Sequence, residues 1–224
     1  MTLALHFHPL SSYCHKVLIA LYENGIAFEP QLVNLGDPAG RKRYLDLWPI
    51  GKMPVLRDEA RNRILPESSI IIEYLDRHYP GAQPLIPVDL EAALEARLWD
   101  RLYDLYVMTP MQKIVGDRIR PSGARDPQGV AEAEALLRTA YGVIEQSMAD
   151  RIWAAGESFG IADCAAAPSL FFALTLVPFA ASHPNLAAYF ERLVSRPSIA
   201  RVLAEAKPFF QYYPFQDRIA ARFR

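Results

Sequence analysis

Residues 51–68 hold the chain's densest set of groups able to bind a small ligand: Gly51-Lys52-Met53-Pro54-Val55-Leu56, a charged turn, then Pro66-Glu67-Ser68-Ser69 at the head of an apolar helical run. Pro54 has no N–H, so an extended segment halted at Met53-Pro54 can leave the Met53 N–H and C=O to pair with a peptide. The helix that follows opens on an acid and a hydroxyl. Its first N–H groups have no internal partners and carry partial positive charge, which places Ser68 to hold a carboxylate. Glu67 beside it can hold the accompanying ammonium. Such a site takes an α-amino acid head at one end and a peptide backbone at the other, which suits a γ-glutamyl peptide.

Three more patches stand apart: Ser11-Ser12-Tyr13-Cys14-His15-Lys16-Val17 near the start, the Pro-rich stretch at 80–87, and Gly160-Ile161-Ala162-Asp163 late in the chain. With Met53-Pro54 and Glu67-Ser68 they make the chain resemble the soluble glutathione S-transferases over nearly all of its length. The resemblance implies glutathione as co-substrate, a cis bond at Met53-Pro54, a homodimer and a role in detoxification. It also implies a reaction in which the glutathione thiolate attacks an apolar electrophile.

Only the thiolate is a good nucleophile, and a free thiol has a pKa of about 8.5. A hydrogen bond to a charged group is worth about 1.5–3 kcal/mol, enough to lower that pKa by about one to two units. A nearby helix N-terminus adds to this. Ser11, Ser12 and Cys14 all lie where both effects operate. The segment is similar to the theta-class Ser-x-x-Cys and the zeta-class Ser-Ser patterns, in which the serine matching Ser11 activates the thiol. Ser12 comes second, and helix capping alone also accounts for serine here. Phe7, not Tyr13, stands near the place of the early tyrosine of the alpha, mu and pi classes. Cys14 has a rival role as a thiol-disulfide exchange nucleophile if the helix end, His15 and Lys16 depress its pKa, and a simpler one as a small buried residue.

Lys52, Arg41, Lys42 or Arg43 can reach the glutathione main chain or its glycyl carboxylate, although clustered charges are often only solvated. Candidates for the apolar-substrate lining are Tyr103, Tyr106, Met108, Met111, Ile114 and Val115, closed by an aromatic tail of Phe209, Phe210, Tyr212, Tyr213 and Phe215. Two alternatives remain open. One is a glutathione-dependent isomerase, or a disulfide or peroxide reductase using Cys14; the other is a non-catalytic interaction protein on the same fold. Trp48, where the family commonly has Asn, is a departure beside the site.

The elements that must position these residues follow from periodicity. Residues 3–7 and 28–33 read as strands around a helix over 14–23 that closes at Gly25. Residues 36–40 begin a loop, followed by a short basic segment at 41–43. Residues 54–57 and 63–65 read as a hairpin, and 68–78 as a helix. The βαβ-ββα order is that of a thioredoxin-like α/β domain over 1–80. A linker at 81–87 leads to an all-α bundle over 88–224, with amphipathic helices expected at 90–107 and 126–148. Gly160 reads as an N-cap with Asp163 reaching back to orphan N–H groups.

Of 224 residues, 51% are hydrophobic and 22% charged, enough for a real core, and a net charge of −1 gives no long-range pull toward nucleic acid or anionic membrane. Cys14 and Cys164 alone suit a reducing, cytoplasmic setting, and the opening residues lack the form of an export signal. Residues 164–182 carry no charge, but Pro168 and Pro178 interrupt them, so a buried core helix followed by a turn is expected in place of a membrane span. No metal is expected, because no His/Cys/Asp/Glu set has ligand spacing.

Overall fold

The computed structural model describes Leu3–Arg224; Met1-Thr2, part of the opening stretch read above for export, lies outside the described residues. The chain divides into two units, Met1–Leu85 and Ile86–Arg224, and the division falls inside the stretch 81–87.

The first unit runs β1 (Leu3–Phe7), α1 (Ser12–Glu23), β2 (Glu29–Leu32), α2 (Pro38–Leu47), β3 (Val55–Asp58), β4 (Arg63–Pro66) and α3 (Ser68–His78). Its four strands form a mixed sheet in the order β2-β1-β3-β4. β1 pairs parallel with β2 and antiparallel with β3. The parallel pair needs a crossover, and α1 supplies it. Leu5 stands opposite Leu56 at the centre of the sheet, both fully buried together with Val17, Leu21, Ile71 and Ile72 from α1 and α3. This is the thioredoxin-like unit.

One element departs from the sequence reading. Residues 38–47, expected as loop and basic segment, form α2. Asp37 caps it, its carboxylate accepting from the Gly40 N–H at 2.7 Å, and Pro38 sits in the first turn, where its missing N–H does no harm. Tyr44 is the one residue of α2 that is fully buried, so the helix has almost no apolar stripe for periodicity to detect.

The hairpin β3–β4 is tied to α3 through Asp58. That buried carboxylate accepts from the Tyr74 hydroxyl at 2.7 Å, the Tyr79 hydroxyl at 2.6 Å and the Arg61 N–H at 3.1 Å. Burial pushes the Asp58 pKa up, but these donors outweigh it and the net shift is downward.

The second unit is all-helical: α4 (Leu90–Leu102), α5 (Thr109–Arg118), α6 (Pro127–Ser147), α7 (Ile161–Leu176), α8 (Pro184–Val194) and α9 (Pro197–Ala206), followed by short 3₁₀ turns. α4 and α5 are joined through a π-helical turn, Tyr103–Met108. Within it the Thr109 N–H bonds to the Asp104 carbonyl, five residues back, just before Pro110, which has no N–H to donate. The expected buried core helix forms, and Pro168 does not break it. α7 continues through the proline and ends at Leu176, before Pro178. α7 is buried nearly all round, and the Ser169 and Thr175 hydroxyls donate to the Ala166 and Phe172 carbonyls. No helix among the described residues is long and apolar enough to cross a membrane. At the start of α7, Gly160 is the N-cap, and the Asp163 carboxylate accepts from the Gly160 N–H at 2.8 Å, the Ala154 N–H at 2.9 Å and the Tyr189 hydroxyl at 2.6 Å.

Candidate active site

The sheet register decides which sequence candidates meet. β1 ends where β3 begins, since His6 lies opposite Val55, and β3 begins where β4 ends, since Val55 lies opposite Pro66. The chain therefore leaves β1 toward Ser11, enters β3 from Met53-Pro54, and leaves β4 into Glu67-Ser68, all at one end of the sheet. These three segments are far apart in sequence and adjacent in register.

At the first segment Ser11 is the N-cap of α1, and its Oγ accepts from the Cys14 N–H at 3.4 Å. That bond uses an acceptor lone pair, so the hydroxyl proton stays available to a second partner. The preceding turn is held by the Ser11 N–H on the His8 carbonyl at 3.0 Å and by the His15 Nε2–H on the Pro9 carbonyl at 2.5 Å. Ser12, the first helical residue, is buried. Cys14 is completely buried, and that burial pushes its thiol up to about 12 despite the opposing contacts from Ser11 and His8. An exchange nucleophile needs an exposed thiol with a depressed pKa. Cys14 has neither property, and its environment matches the small-buried-residue reading.

At the second segment the Met53-Pro54 peptide is cis. Among the described residues no group pairs with the Met53 backbone N–H or C=O. The loop is braced from α2, where the Tyr44 hydroxyl donates to the Lys52 carbonyl at 2.7 Å and Tyr44, Val33 and Val55 form a small core with Leu47, Trp48 and Met53 against it. Gly51 turns the chain at φ 72°, in the region open to glycine.

At the third segment Glu67 has φ 68° and ψ 112°, a left-handed backbone for a residue with a side chain. Its exposed carboxylate makes no cap bond to α3. Ser68, buried, is the first residue of the helix, and the first intrahelical bond comes only at Ile71 N–H to the Glu67 carbonyl, 2.8 Å. The N–H groups ahead of Ile71 thus have no partner inside the helix. Strain of about 1–3 kcal/mol in a backbone of this kind persists only where its surroundings impose it, and it gathers at binding sites.

The remaining candidates fall into separate places. Lys42 is exposed and pairs with Asp46 on α2 at 2.7 Å; Arg41, Arg43 and Lys52 are exposed. In the helical unit, Tyr103, Met108 and Met111 are core residues. Tyr106 is 50% exposed, and Val115 is partly exposed. Ile114 borders an open groove with Leu176, Phe215, Arg118 and Arg218. Phe210 stacks on Phe171 at 5.7 Å, and Tyr213 packs on Phe172 at 5.2 Å with its hydroxyl 2.8 Å from that of Thr175. The rings of Phe210 and Tyr213 thus cover α7, while Tyr212 stays exposed. Among the described residues no group of three His, Cys, Asp or Glu could hold a metal ion.

Residues 5–83 match the family profile "Glutathione S-transferase, N-terminal domain", and residues 102–197 match "Glutathione S-transferase, C-terminal domain". The chain belongs to the glutathione S-transferase family. It is 29% identical to glutathione S-transferase 1 of Triticum aestivum over 87% of this chain and 90% of that protein. To glutathione S-transferase GstB of Escherichia coli it is 27% identical, over 86% and 93%. The solved glutathione S-transferase of Methylobacillus flagellatus with GSH bound superposes with a TM-score of 0.82 at 29% identity, covering 89% of this chain and 98% of that one.

Sequence reasoning missed three features of the unit of this transferase that carries the candidate site. α2 was signalled by Asp37-Pro38, a cap and a first-turn proline. The Tyr44 brace on Lys52 left no sequence signal. The third is Lys16, fully buried in α1, whose signal was a cation set against the apolar run Val17-Leu18-Ile19-Ala20-Leu21.

Proposed function

We propose that this transferase binds glutathione at the sheet end formed by Ser11, Met53-Pro54 and Glu67-Ser68 and directs its sulfur at an apolar electrophile. Glu67 takes the γ-glutamyl ammonium, and the Ser68 hydroxyl with the first N–H groups of α3 takes the carboxylate. Met53 pairs with the cysteinyl backbone, and Arg41 and Lys52 are left to approach the glycyl end. The Ser11 hydroxyl donates to the thiolate while its oxygen goes on capping α1. The thiolate then forms a carbon–sulfur bond with the electrophile, and the leaving group departs with the bonding pair. The observation that carries this reading is the register: His6 opposite Val55 opposite Pro66 aligns the three segments.

In the helical unit Tyr106 and Val115 keep the exposed surface that an apolar electrophile could use, whereas Tyr103, Met108, Met111, Ile114, Phe210 and Tyr213 are buried. A reductase mechanism through Cys14 has no support from a fully buried thiol pushed up to about 12. A homodimer, a cytoplasmic setting and a detoxifying role belong to the same proposal and rest on the family resemblance.

The test is an ultraviolet difference titration of the protein with glutathione across pH, following thiolate absorption. Ionisation of the bound thiol below neutral pH is the expected result. No binding, or binding without ionisation, would replace this reading with that of a non-catalytic interaction protein.

A further inference from the structure

Lys16 is fully buried in α1, and its Nζ donates to the Ser69 Oγ at 2.9 Å. An ammonium carries three donors and is strongly hydrated, so it is buried only where neighbouring groups hold its protons. The partner is placed to matter. Ser69 is the second residue of α3, directly after Ser68 and two residues from the left-handed Glu67. Lys16 lies five residues beyond Ser11, the N-cap of the same helix, about 7.5 Å along the axis at 1.5 Å per residue. One hydrogen bond thus joins the helix that carries the thiol-activating hydroxyl to the helix that carries the γ-glutamyl holders.

Glutathione has a bounded reach between its head and its sulfur. Ser11 can stabilise the thiolate only if the sulfur arrives within hydrogen-bond reach when the head is seated on Glu67 and Ser68, and that interaction weakens steeply with distance and angle. Apolar packing of α1 on α3 is non-directional and leaves their relative slide weakly fixed. A hydrogen bond from a buried cation is directional and fixes it. It also restrains the first turn of α3, whose entry through Glu67 is strained.

We propose that Lys16, acting through Ser69, is a positioning residue that sets the separation between the γ-glutamyl end and the thiolate end of the site; the inference rests on the glutathione reading above. Its signature is a loss of thiol activation out of proportion to the loss of ligand affinity. A role in stability alone would move the melting temperature and leave the bound thiol unchanged.

The experiment compares the full-length wild type with Ser69→Ala, Lys16→Met, Lys16→Arg and the Lys16→Met/Ser69→Ala double variant. The readouts are the pKa of bound glutathione by thiolate absorption, the affinity for S-methylglutathione, and kcat with chlorodinitrobenzene as electrophile. Ser69→Ala is expected to raise the bound-thiol pKa by about one unit and to lower kcat at neutral pH about two- to fivefold, the loss of thiolate that such a rise gives, with a much smaller change in S-methylglutathione affinity. Lys16→Met does the same, the double variant loses less than the sum of the two single losses because both remove the same bond, and Lys16→Arg restores part of the activation. Wild-type thiol pKa and kcat in Ser69→Ala would overturn the proposal, as would additive losses in the double variant. If Lys16→Met fails to fold, Ser69→Ala decides alone. A wild type that binds no glutathione, or binds it without ionisation, sinks the parent reading and this one with it; normal ionisation in both wild type and Ser69→Ala sinks this one only.

Discussion

Val55 of β3 lies opposite Pro66 of β4, and that pairing brings the cis Met53-Pro54 turn beside the Glu67-Ser68 junction. A slip of one residue would turn every side chain of β4 to the other face and carry Glu67 out of line with Met53. The register is held from both sides. Leu56 and Leu65 are buried partners one step along the ladder, and Asp58 at the far end is clamped by Tyr74 and Tyr79. The end of the sheet that carries the candidate site is thus positioned by its opposite end.

Ser11 caps α1, and substitutions can separate that duty from its proposed activation of the thiol. Glycine keeps most of an N-cap's stability, whereas alanine loses about 1 kcal/mol. Ser11→Gly and Ser11→Ala should therefore raise the pKa of bound glutathione and lower kcat alike, with glutathione affinity nearly intact, while only Ser11→Ala lowers the melting temperature appreciably. Thiolate titration and thermal melts check this. An unchanged thiol pKa in both variants would move the activating role to Ser12.

Glu67, proposed to hold the γ-glutamyl ammonium, has a left-handed backbone. Both Glu67→Ala and Glu67→Gly should weaken glutathione binding about tenfold or more, the value of a hydrogen bond to a charged group. Their stabilities should differ, with Glu67→Gly the more stable by about 1 kcal/mol because glycine adopts this conformation without a Cβ clash. Calorimetric binding and denaturant melts measure the two effects separately. Equal stability of the two variants would show that the Glu67 backbone holds no strain.

Asp163 gives the helical unit a pH dependence of definite sign. Its burial pushes the carboxyl up to about 6, against the pull of the Ala154 N–H, the Tyr189 hydroxyl and the Gly160 N–H. A folded pKa above the unfolded one means a contribution fully present below the unfolded value and lost as pH rises through about 6. Tyr189→Phe removes one donor to the carboxylate and should cost about 1–3 kcal/mol. That cost should be larger above pH 6, where Asp163 is ionised, than below it. Melting temperature against pH for wild type and variant reads this directly; a cost independent of pH would show that the loss does not depend on the charge of Asp163.

Much of this protein was legible in its residues because the signals were local. Pro66-Glu67-Ser68 opens α3 at the residue where the sequence placed it, and Gly160 with Asp163 makes the expected cap of α7. These depend on orphan N–H groups and apolar spacing, which neighbouring residues settle. α2 escaped because its single fully buried side chain gives no stripe, although its Asp37-Pro38 cap stood in plain view. The core helix expected over the uncharged run at 164–182 forms, and it runs through Pro168 because a helix enclosed by its neighbours tolerates a proline that would break an isolated one.

What only the tertiary structure decided is which residues share an environment. The sequence set Cys14 beside His15 and Lys16 at a helix start, a context that favours a reactive thiol, yet long-range burial reverses its chemistry. The aromatic tail could cover something or bind something, and α7 occupies Phe210 and Tyr213. Lys16 and Ser69 are 53 positions apart and meet only because α1 and α3 pack together. Residue types and short spacings determine helix ends, turns and candidate ligands through local forces. Burial, and the pairing of groups distant in sequence, arise only when the whole chain closes on itself.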